Sequence, residues 1–352
     1  MLTRFHKILI AALAVQVVLI VVMALRSGEP GAVQEHPLLP DFDAAKVTKL
    51  SIAGAEGAPV VLAKRGNDWV LASAFDYPVD GARVTELLSP IAKLAAAEPV
   101  ATQASRHKQL KVDDTEFDRK LVITTDKDLV LFIGGPVGHR TAVRIGGDDR
   151  VYGVSGLSAT AAGTTPRDWT EPAYVKIPRA EIARVAIQRD ATSLDIARAA
   201  TSWSVTSGGA PLALATGETL DSAVIDRLVD DLAAIDLATP ADPKRDASKP
   251  TAVITIERTA PAPAAGSGSA SPLPGPPPPP IVLDVIADGE QFWVHQRGLP
   301  TAVMVDKQRL DTVMTVDRDK LVKKPPPATG SGSGSARSPL PPPPSPLDLP
   351  PQ

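Results

Sequence analysis

The chain contains no cysteine, and this absence removes several classes of site at once. Disulfide bonds, thiolate metal sites, cysteine nucleophiles and a lipid anchor attached to cysteine are all excluded. A region outside the cytosol that has no cysteine also avoids the thiol chemistry of an oxidising compartment. The chemistry of the protein must therefore rest on other side chains.

Clusters of basic residues and of histidines are also missing. The chain has 37 Lys and Arg against 40 Asp and Glu, and no stripe of positive charge. Nucleic acid binds to clustered Lys and Arg, so the sequence predicts no nucleic-acid partner. The five histidines are His6, His36, His107, His139 and His295. None has the spacing of a helical metal site, and His139 near Asp148 and Asp149 is explained as a solvated hairpin. We therefore predict no metal and no cofactor.

Two short motifs resemble catalytic loops without the residues that define them. The segment 153–157 lacks the final glycine of a nucleophile elbow, and the glycine-rich segment 134–138 lacks the lysine of a phosphate-binding loop. We interpret residues 134–138 as a hairpin loop. The acidic residues Asp113, Asp114 and Glu116 are interpreted as a solvated loop. The sequence thus predicts no catalytic residue, and the protein is predicted not to be an enzyme.

The N-terminus carries one long apolar run. Residues 8–25 are apolar apart from one glutamine, and at about 1.5 Å per residue they span about 27 Å, close to the thickness of a bilayer core. Arg4 and Lys7 precede the run, which places that end in the cytosol. A cleaved signal peptide is the alternative, but residues 23–26 form a poor cleavage site. We predict a cytosolic stub and single-pass inner-membrane anchor over residues 1–26, with the bulk of the chain periplasmic or otherwise extracytoplasmic.

After the anchor, the same order of elements occurs twice. Each half has an alternating strand, a second strand, a third strand with a tryptophan, and then a helix that starts after an aspartate. The matching elements are 47–52 with 182–187, 58–63 with 192–197, the strands of Trp69 and Trp203, and the helices that follow Asp80 and Asp221. Aspartate is a favoured N-cap because its carboxylate accepts free N–H groups of the first turn. The two tryptophans occupy equivalent positions, which favours a shared role in the core.

The two helices align without a gap. Each has one apolar stripe at helical spacing. The stripes are Val84, Leu87, Leu88, Ile91 and Leu94 in the first half, and Ile225, Leu228, Val229, Leu232 and Ile235 in the second. Pro90 conflicts with a straight first helix and is predicted to kink or interrupt it.

The later part of each half also corresponds. Four further strands are predicted in each half: 121–124, 129–133, 141–145 and 151–154, and 252–256, 281–285, 291–295 and 302–305. Each half closes on an Arg-Asp pair, Arg167-Asp168 and Arg318-Asp319, which we interpret as a buried salt bridge. Strands this close in sequence favour antiparallel hairpins. The predicted class is α+β, with two tandem repeats of an antiparallel-sheet-plus-helix module after one transmembrane helix.

The length of 352 residues allows two domains of ordinary size. We predict a spacer over 27–44, the first repeat over 45–178, the second over 179–324, and a proline-rich tail over 325–352. A similar Pro/Gly/Ser-rich insert occupies 259–280 of the second repeat. These two tracts hold 20 of the 36 prolines, and neither can bury enough apolar surface to fold.

The insert and the tail have different interpretations. The insert lies between two predicted strands, so we interpret it as a tolerated expansion of a hairpin loop, because loop length costs little stability. The tail is predicted to be disordered, with stiff polyproline II runs. Two roles for it stay open: a passive spacer, or a ligand for an aromatic groove.

The pattern resembles the bacterial domain of unknown function 4340 over about residues 45–324. The resemblance rests on Tyr77-Pro78-Val79-Asp80, Leu87-Leu88, Leu131–Gly134, Val151-Tyr152 and Arg167-Asp168, together with the strand–strand–tryptophan start. It implies an exported, membrane-anchored repeat protein, often encoded beside ABC-type transporter and gliding-motility-like components. It supplies no catalytic residues. The Pro-rich insert and tail, and the link 106–110, depart from the family pattern.

The sequence is compatible with three functions. The first is a non-enzymatic, membrane-anchored envelope protein that serves as an accessory or scaffold subunit of a membrane complex, with an ABC-type transporter as the expected neighbour. The second is a module that binds an extracytoplasmic glycan or small molecule in the groove between the repeats, and the third is a hydrolase. A scaffold needs exposed apolar patches, whereas a binding module needs one polar-lined aromatic cleft.

We predict that the anchor stays attached to the mature protein. The apolar run is long enough to span a bilayer, and it ends in a poor cleavage site. N-terminal sequencing or the intact mass of membrane-extracted protein should therefore give the uncleaved chain. A mature start near residue 27 would identify the segment as a signal peptide.

Overall fold

The computed structural model describes residues 13, 15–18, 22, 35–190, 192–199, 202–259 and 276–324. The strands of the first half are β1 (His36–Pro37), β2 (Lys49–Gly54), β3 (Val60–Arg65), β4 (Asp68–Leu71), β5 (Tyr77–Pro78), β6 (Ala95–Ala96), β7 (Pro99–Ala101), β8 (Arg119–Thr124), β9 (Asp128–Val137), β10 (Arg140–Ile145) and β11 (Val151–Val154). Those of the second half are β12 (Ala173–Lys176), β13 (Ile182–Arg189), β14 (Thr192–Ala199), β15 (Ser202–Ser207), β16 (Ala210–Pro211), β17 (Thr219–Leu220), β18 (Ala234–Asp236), β19 (Thr239–Ala241), β20 (Ala252–Arg258), β21 (Ile281–Asp288), β22 (Gln291–Gln296), β23 (Ala302–Asp306) and β24 (Val322–Lys323).

Helices are few by comparison. Between residues 35 and 324, the described α-helices are α1 (Gly81–Ala92), α2 (Ser222–Ala233), α3 (Lys307–Thr315) and α4 (Arg318–Leu321). Short 3₁₀ turns occupy Ala44–Lys46, Ala104–Arg106, Ala159–Ala161, Pro166–Asp168 and Arg179–Glu181. The sheets and helices together confirm the predicted α+β class.

Each half is built on a nine-stranded antiparallel sheet, and the two sheets have the same strand order. The first runs β5-β4-β3-β2-β8-β9-β10-β11-β7, and the second runs β16-β15-β14-β13-β20-β21-β22-β23-β19. In both sheets the connection that carries the long helix separates the first strands from the later hairpins. The chain therefore consists of two sheet-rich halves with matching connectivity.

A short two-stranded sheet begins each half. β1 pairs with β6, and β12 pairs with β18. The N–H of Leu38 donates to the carbonyl of Leu94 at 2.8 Å, and the N–H of Ile177 donates to that of Ala233 at 2.8 Å. The prediction of a spacer over 27–44 is therefore wrong for its last residues, since β1 belongs to the folded half. Likewise β12 pairs within the second half, although it was expected in the first.

The two long helices form as the sequence predicts. Asp80 and Asp221 are the N-caps, and each carboxylate accepts an N–H from the first turn at 3.0 Å. All ten residues of the two apolar stripes are buried. Pro90 does not interrupt α1, which continues to Ala92. Pro90 lies in the last turn, and its nitrogen has no hydrogen to donate to the carbonyl of Glu86.

The inner faces of both sheets and both long helices share one core. The outer faces carry smaller apolar clusters, centred on Phe132 in the first half and on Trp293 in the second. Alternation along each strand explains the division, because neighbouring residues of a strand point to opposite faces. Leu131 and Ile133 thus lie in the shared core, and Phe132 lies on the outer side.

The insert connects two neighbouring strands. β20 and β21 pair directly, and Ile256 is opposite Ile281. This agrees with a hairpin connection between them. Residues 260–275 of the insert and the tail 325–352 lie outside the described residues.

The predicted anchor lies almost wholly outside the described residues. Of residues 8–25, six are described: they are helical, and their side chains are exposed. Among the residues that the structure describes, no helix combines the length and apolar character that a membrane crossing requires.

The segment 134–138 is a strand end rather than a loop, which corrects the sequence interpretation. Gly134 to Val137 belong to β9, and the turn to β10 is made by Gly138 and His139. Gly134 lies directly beneath the carbonyl of Leu110: an added Cβ atom would be 2.0 Å from that oxygen. The glycine lets the link before β8 pack closely on the sheet.

We predict that Gly134→Ala destabilises the protein by about 1–3 kcal/mol, because its methyl group overlaps the Leu110 carbonyl. Gly135→Ala is the matched control, since nothing lies within 4 Å of its added Cβ. Its effect should stay within about 0.5 kcal/mol. Urea unfolding followed by circular dichroism measures both values. Equal stabilities of the two variants would contradict the close approach.

Candidate functional site

The start of each long helix is bound to the segment that closes its half. The backbone N–H of Asp80 donates to the carbonyl of Trp169 at 2.9 Å, and that of Asp221 donates to the carbonyl of Leu321 at 2.8 Å. Trp169 is buried, and its indole N–H donates to the carbonyl of Gly163 at 2.9 Å. The closing segments are therefore part of the helix-capping structure.

The Arg-Asp pairs within these segments are exposed, so the predicted buried salt bridges are wrong. Asp168 accepts hydrogen bonds from the N–H and hydroxyl of Thr165, both at 2.8 Å, and Arg167 lies in solvent. Arg318 pairs with Glu218 at 2.6 Å and lies 3.6 Å from Asp319. Arg318 therefore contacts both Glu218 and Asp319 on the surface, and neither Arg-Asp pair is buried.

Trp203 lies at the centre of a charged network in the second half. Its indole N–H donates to the carboxylate of Asp226 at 3.0 Å. Arg179 binds Asp226 at 2.5 Å and Asp230 at 3.1 Å. The guanidinium of Arg198 lies over the indole ring, 4.9 Å from its centroid. This Trp203 network joins the 3₁₀ turn before β13, the β14–β15 hairpin and α2.

The first half has the same framework with different side chains. Lys64 is opposite Trp69 in its hairpin, as Arg198 is opposite Trp203. Counting along the 3₁₀ turns, the strand registers and the helices from their caps gives the other equivalents. Ala44 replaces Arg179, Thr85 replaces Asp226, and Ser89 replaces Asp230. The first half thus has small, neutral residues beside α1 at the positions where the second half has charged residues that form ion pairs beside α2.

These replacements leave a groove of about 430 Å³. We call it the Trp69 groove. It is lined by Ala44, Ala45, Lys64, Trp69, Val84, Thr85, Leu88, Ser89, Ala92 and Lys93. The hydroxyl of Thr85 donates to the carbonyl of Gly81 in its own helix at 3.0 Å. Within the described residues, neither lysine forms an ion pair and the Trp69 indole N–H donates no hydrogen bond. The groove thus combines an aromatic and aliphatic floor with unused donors.

Both repeat tryptophans are half-buried and pack against the core, so each has one side in the core and one side on the groove or network. The fully buried tryptophans are Trp169 and Trp293. The sequence did not single them out, since they have no equivalent in the other half. Trp293 donates its indole N–H to the carbonyl of Asp242 at 3.0 Å.

A buried arginine on the outer face of the first sheet connects the sheet to the link that precedes β8. Arg144 donates to the carbonyl of Val112 at 2.7 Å and to the carboxylate of Asp114 at 2.8 Å. Its guanidinium lies 4.2 Å from the ring centroid of Phe132. The acidic loop is therefore not merely solvated, because Asp114 balances a buried charge. Glu116 pairs with Lys111 at 2.8 Å, which lowers the pKa of the Glu116 carboxyl.

The residues near His139 have other partners. The carboxylate of Asp148 binds Arg150 at 2.8 Å, and this pairing lowers the pKa of Asp148. The backbone carbonyl of Asp149 lies 2.8 Å from the ring nitrogen of buried His107. No group of three or more potential metal ligands occurs in the part of the chain that the structure describes.

Buried polar groups of the second half are also paired. Asp284 accepts two hydrogen bonds from Arg297, at 2.9 and 2.7 Å. The hydroxyl of Tyr174 donates to the carbonyl of Thr301 at 2.8 Å and accepts from the N–H of Gln296 at 2.9 Å. Burial raises the pKa of Tyr174. These bonds fix β12 and the β22–β23 hairpin to each other.

The sequence profile of one family, described as Domain of unknown function (DUF4340), matches residues 69–251. The match covers more than half of the chain and extends from the Trp69 strand through α2, so the chain belongs to this family. No curated protein and no solved structure matches the chain. The family description assigns no activity.

We predict that Trp203→Phe costs about 1–2 kcal/mol, because it removes the indole hydrogen bond to a charged carboxylate and keeps the ring. Trp69→Phe is the matched control. It makes the same change of ring size at a half-buried position but breaks no such bond in the described structure, so it should cost about 1 kcal/mol less than Trp203→Phe. Thermal and urea unfolding of both variants measure the difference. Equal losses would show that the Trp203 network does not stabilise the second half.

Proposed function

We propose that this protein is a non-enzymatic, membrane-anchored envelope protein that acts as an accessory or scaffold subunit of a membrane complex. The observation that supports this most directly is that the buried polar side chains form hydrogen bonds within the fold. His107, Arg144, Thr170 and Asp284 are buried in the described structure, and each contacts another part of the fold through a polar atom. Each of these groups is engaged in holding the fold together, which supports a structural role for them.

The position of the first strand adds to the case for a role close to the membrane. Glu35 pairs with Arg140 at 3.0 Å, and β1 begins at the next residue. Only eight residues separate the end of the predicted anchor at residue 26 from Glu35. At no more than about 3.6 Å per residue they reach at most about 29 Å. A retained anchor would hold the first half next to the bilayer surface.

A short tether changes the affinity that a partner must supply. Confinement next to the membrane raises the effective concentration of the domain toward a membrane protein, so weak contacts suffice. The ABC-type transporter is the partner class that the family resemblance implies. The released domain would bind the same partner poorly, because it loses this concentration.

One observation favours a second candidate, a binding module. The Trp69 groove has an aromatic floor and free donors, which is the chemistry of a cleft that accepts a ligand. It lies within the first half, and not between the repeats as the sequence comparison suggested. A glycan or small molecule in this groove would make the protein a receptor.

The two candidates differ in their dependence on the tether. We predict that the full chain, cross-linked in intact membranes, yields a defined inner-membrane partner. A version exported behind a cleavable signal and starting at residue 34 keeps β1 and its ion pair, and should lose most of this cross-link. Full restoration of a deletion strain by the released version would contradict the scaffold proposal and favour the binding module.

A further inference from the structure

We propose that the Trp69 groove is a binding site for the C-terminal segment of the protein itself, with Asp348 and its two neighbouring leucines as the occupant. The inference goes beyond the scaffold proposal and does not depend on the membrane anchor. It rests on the difference between two equivalent positions of one duplicated fold.

The second half shows which chemistry this position accepts. There, the indole N–H of Trp203 binds a carboxylate at 3.0 Å, and a cation lies over the ring face. The carboxylate and its partner Arg179 are part of the fold, so the position is filled internally. A carboxylate beside an aromatic ring is therefore a stable occupant of this framework.

The first half keeps the aromatic ring and the cation but has lost the carboxylate. Thr85 and Ser89 stand where the second half has aspartates, and Lys64 keeps the positive charge of Arg198. Lys93 adds a second ammonium group at the rim. An occupant that copies the arrangement of the second half would supply a carboxylate to these donors.

The floor of the groove sets the second requirement. Val84, Leu88 and Ala92 of α1 line it together with the ring of Trp69. Such a floor binds apolar side chains and proline rings, and proline-rich segments dock on aromatic grooves in this way. The occupant should thus carry aliphatic or proline residues on both sides of its carboxylate.

The tail of this chain has that composition. Residues 325–352 contain 11 prolines and a single acidic residue, Asp348. Leu347 and Leu349 flank it, and prolines follow. No acidic residue occurs in the insert 259–280, so the tail is the better match of the two proline-rich tracts.

The tail is also long enough. Asp348 lies 24 residues after Lys324, the last described residue, and at about 3.1 Å per residue the segment reaches about 74 Å. A compact unit of about 290 residues has a radius of gyration of about 19 Å. Attachment to the same chain gives the segment an effective concentration in the millimolar range, so a weak contact suffices.

The absence of cysteine gives a test without background, using the full chain in its membrane. Ala45→Cys lines the groove, and Ala82→Cys lies on the same helix side of the fold but outside the groove; both alanines are exposed. Each is combined with Ser345→Cys, which leaves Asp348 and both leucines intact, and oxidised. We expect the disulfide with Ala45→Cys to form about tenfold faster than the disulfide with Ala82→Cys. If the tail binds the groove with a dissociation constant of about 0.1 mM, a millimolar effective concentration keeps it bound most of the time.

Two further variants test the chemistry of the contact. Asp348→Asn should lower the rate at Ala45→Cys about two- to fivefold, the range expected for an exposed ion pair. The triple change Ala44→Arg, Thr85→Asp and Ser89→Asp copies the Trp203 network into the first half. It should preserve folding and reduce the rate to that of the Ala82→Cys control.

The outcomes are distinct. A preferred disulfide at Ala45→Cys that is lost in the triple variant supports the proposal, whether it forms within one chain or between two copies. Equal rates at both cysteines, or a triple variant that folds and cross-links as before, overturn it. So does a groove cysteine that cross-links to another protein or is protected only by an added glycan, because the occupant is then not the tail.

Discussion

The N-cap of the long helix is the interaction on which each half depends. Asp80 and Asp221 bind the first turn of their helices through the carboxylate, and their own N–H groups bind the carbonyls of Trp169 and Leu321. One residue thus fixes the helix start and the closing segment together. The apolar stripe that follows the cap is then aimed at the sheet, where it completes a core shared by both halves.

The two halves share the sheet order and the helix cap but differ in the side chains beside the repeat tryptophan. The charged residues at this position in the second half are absent from the first half, which folds in the same way. The second half fills the space beside its tryptophan with Arg179 and Asp226, whereas the first half has Ala44 and Thr85 there. The two copies thus differ in the ion pairs beside the tryptophan while the sheet order and the helix cap are the same. In our proposal, the copy with the open groove is the one that binds the tail.

Periodic and repeated signals predicted most of the fold. The helix caps, the ten buried stripe residues and the succession of the strands along the chain follow from local patterns that each half repeats. The prediction that Pro90 interrupts the helix is wrong, since α1 continues through it to Ala92, where burial of the apolar stripe supports the helix. The Arg-Asp pairs are exposed rather than buried, because sequence adjacency shows neither the burial of a charged side chain nor its other partners, and Arg318 also binds Glu218. The sequence indicated Trp69 as a repeated position, but it did not predict the groove beside it.

The sequence by itself determined the α+β class, the duplication and the family, because alternation, helical spacing and N-cap residues act over a few neighbouring positions. Tertiary structure alone decided that β12 belongs with the second half, that Arg144 is buried against Phe132, and that one tryptophan faces a groove and the other an ion-pair network. These features join residues that are distant in the chain. Their energies depend on burial and on which charges meet, and those arise only when the sheets and helices are packed together.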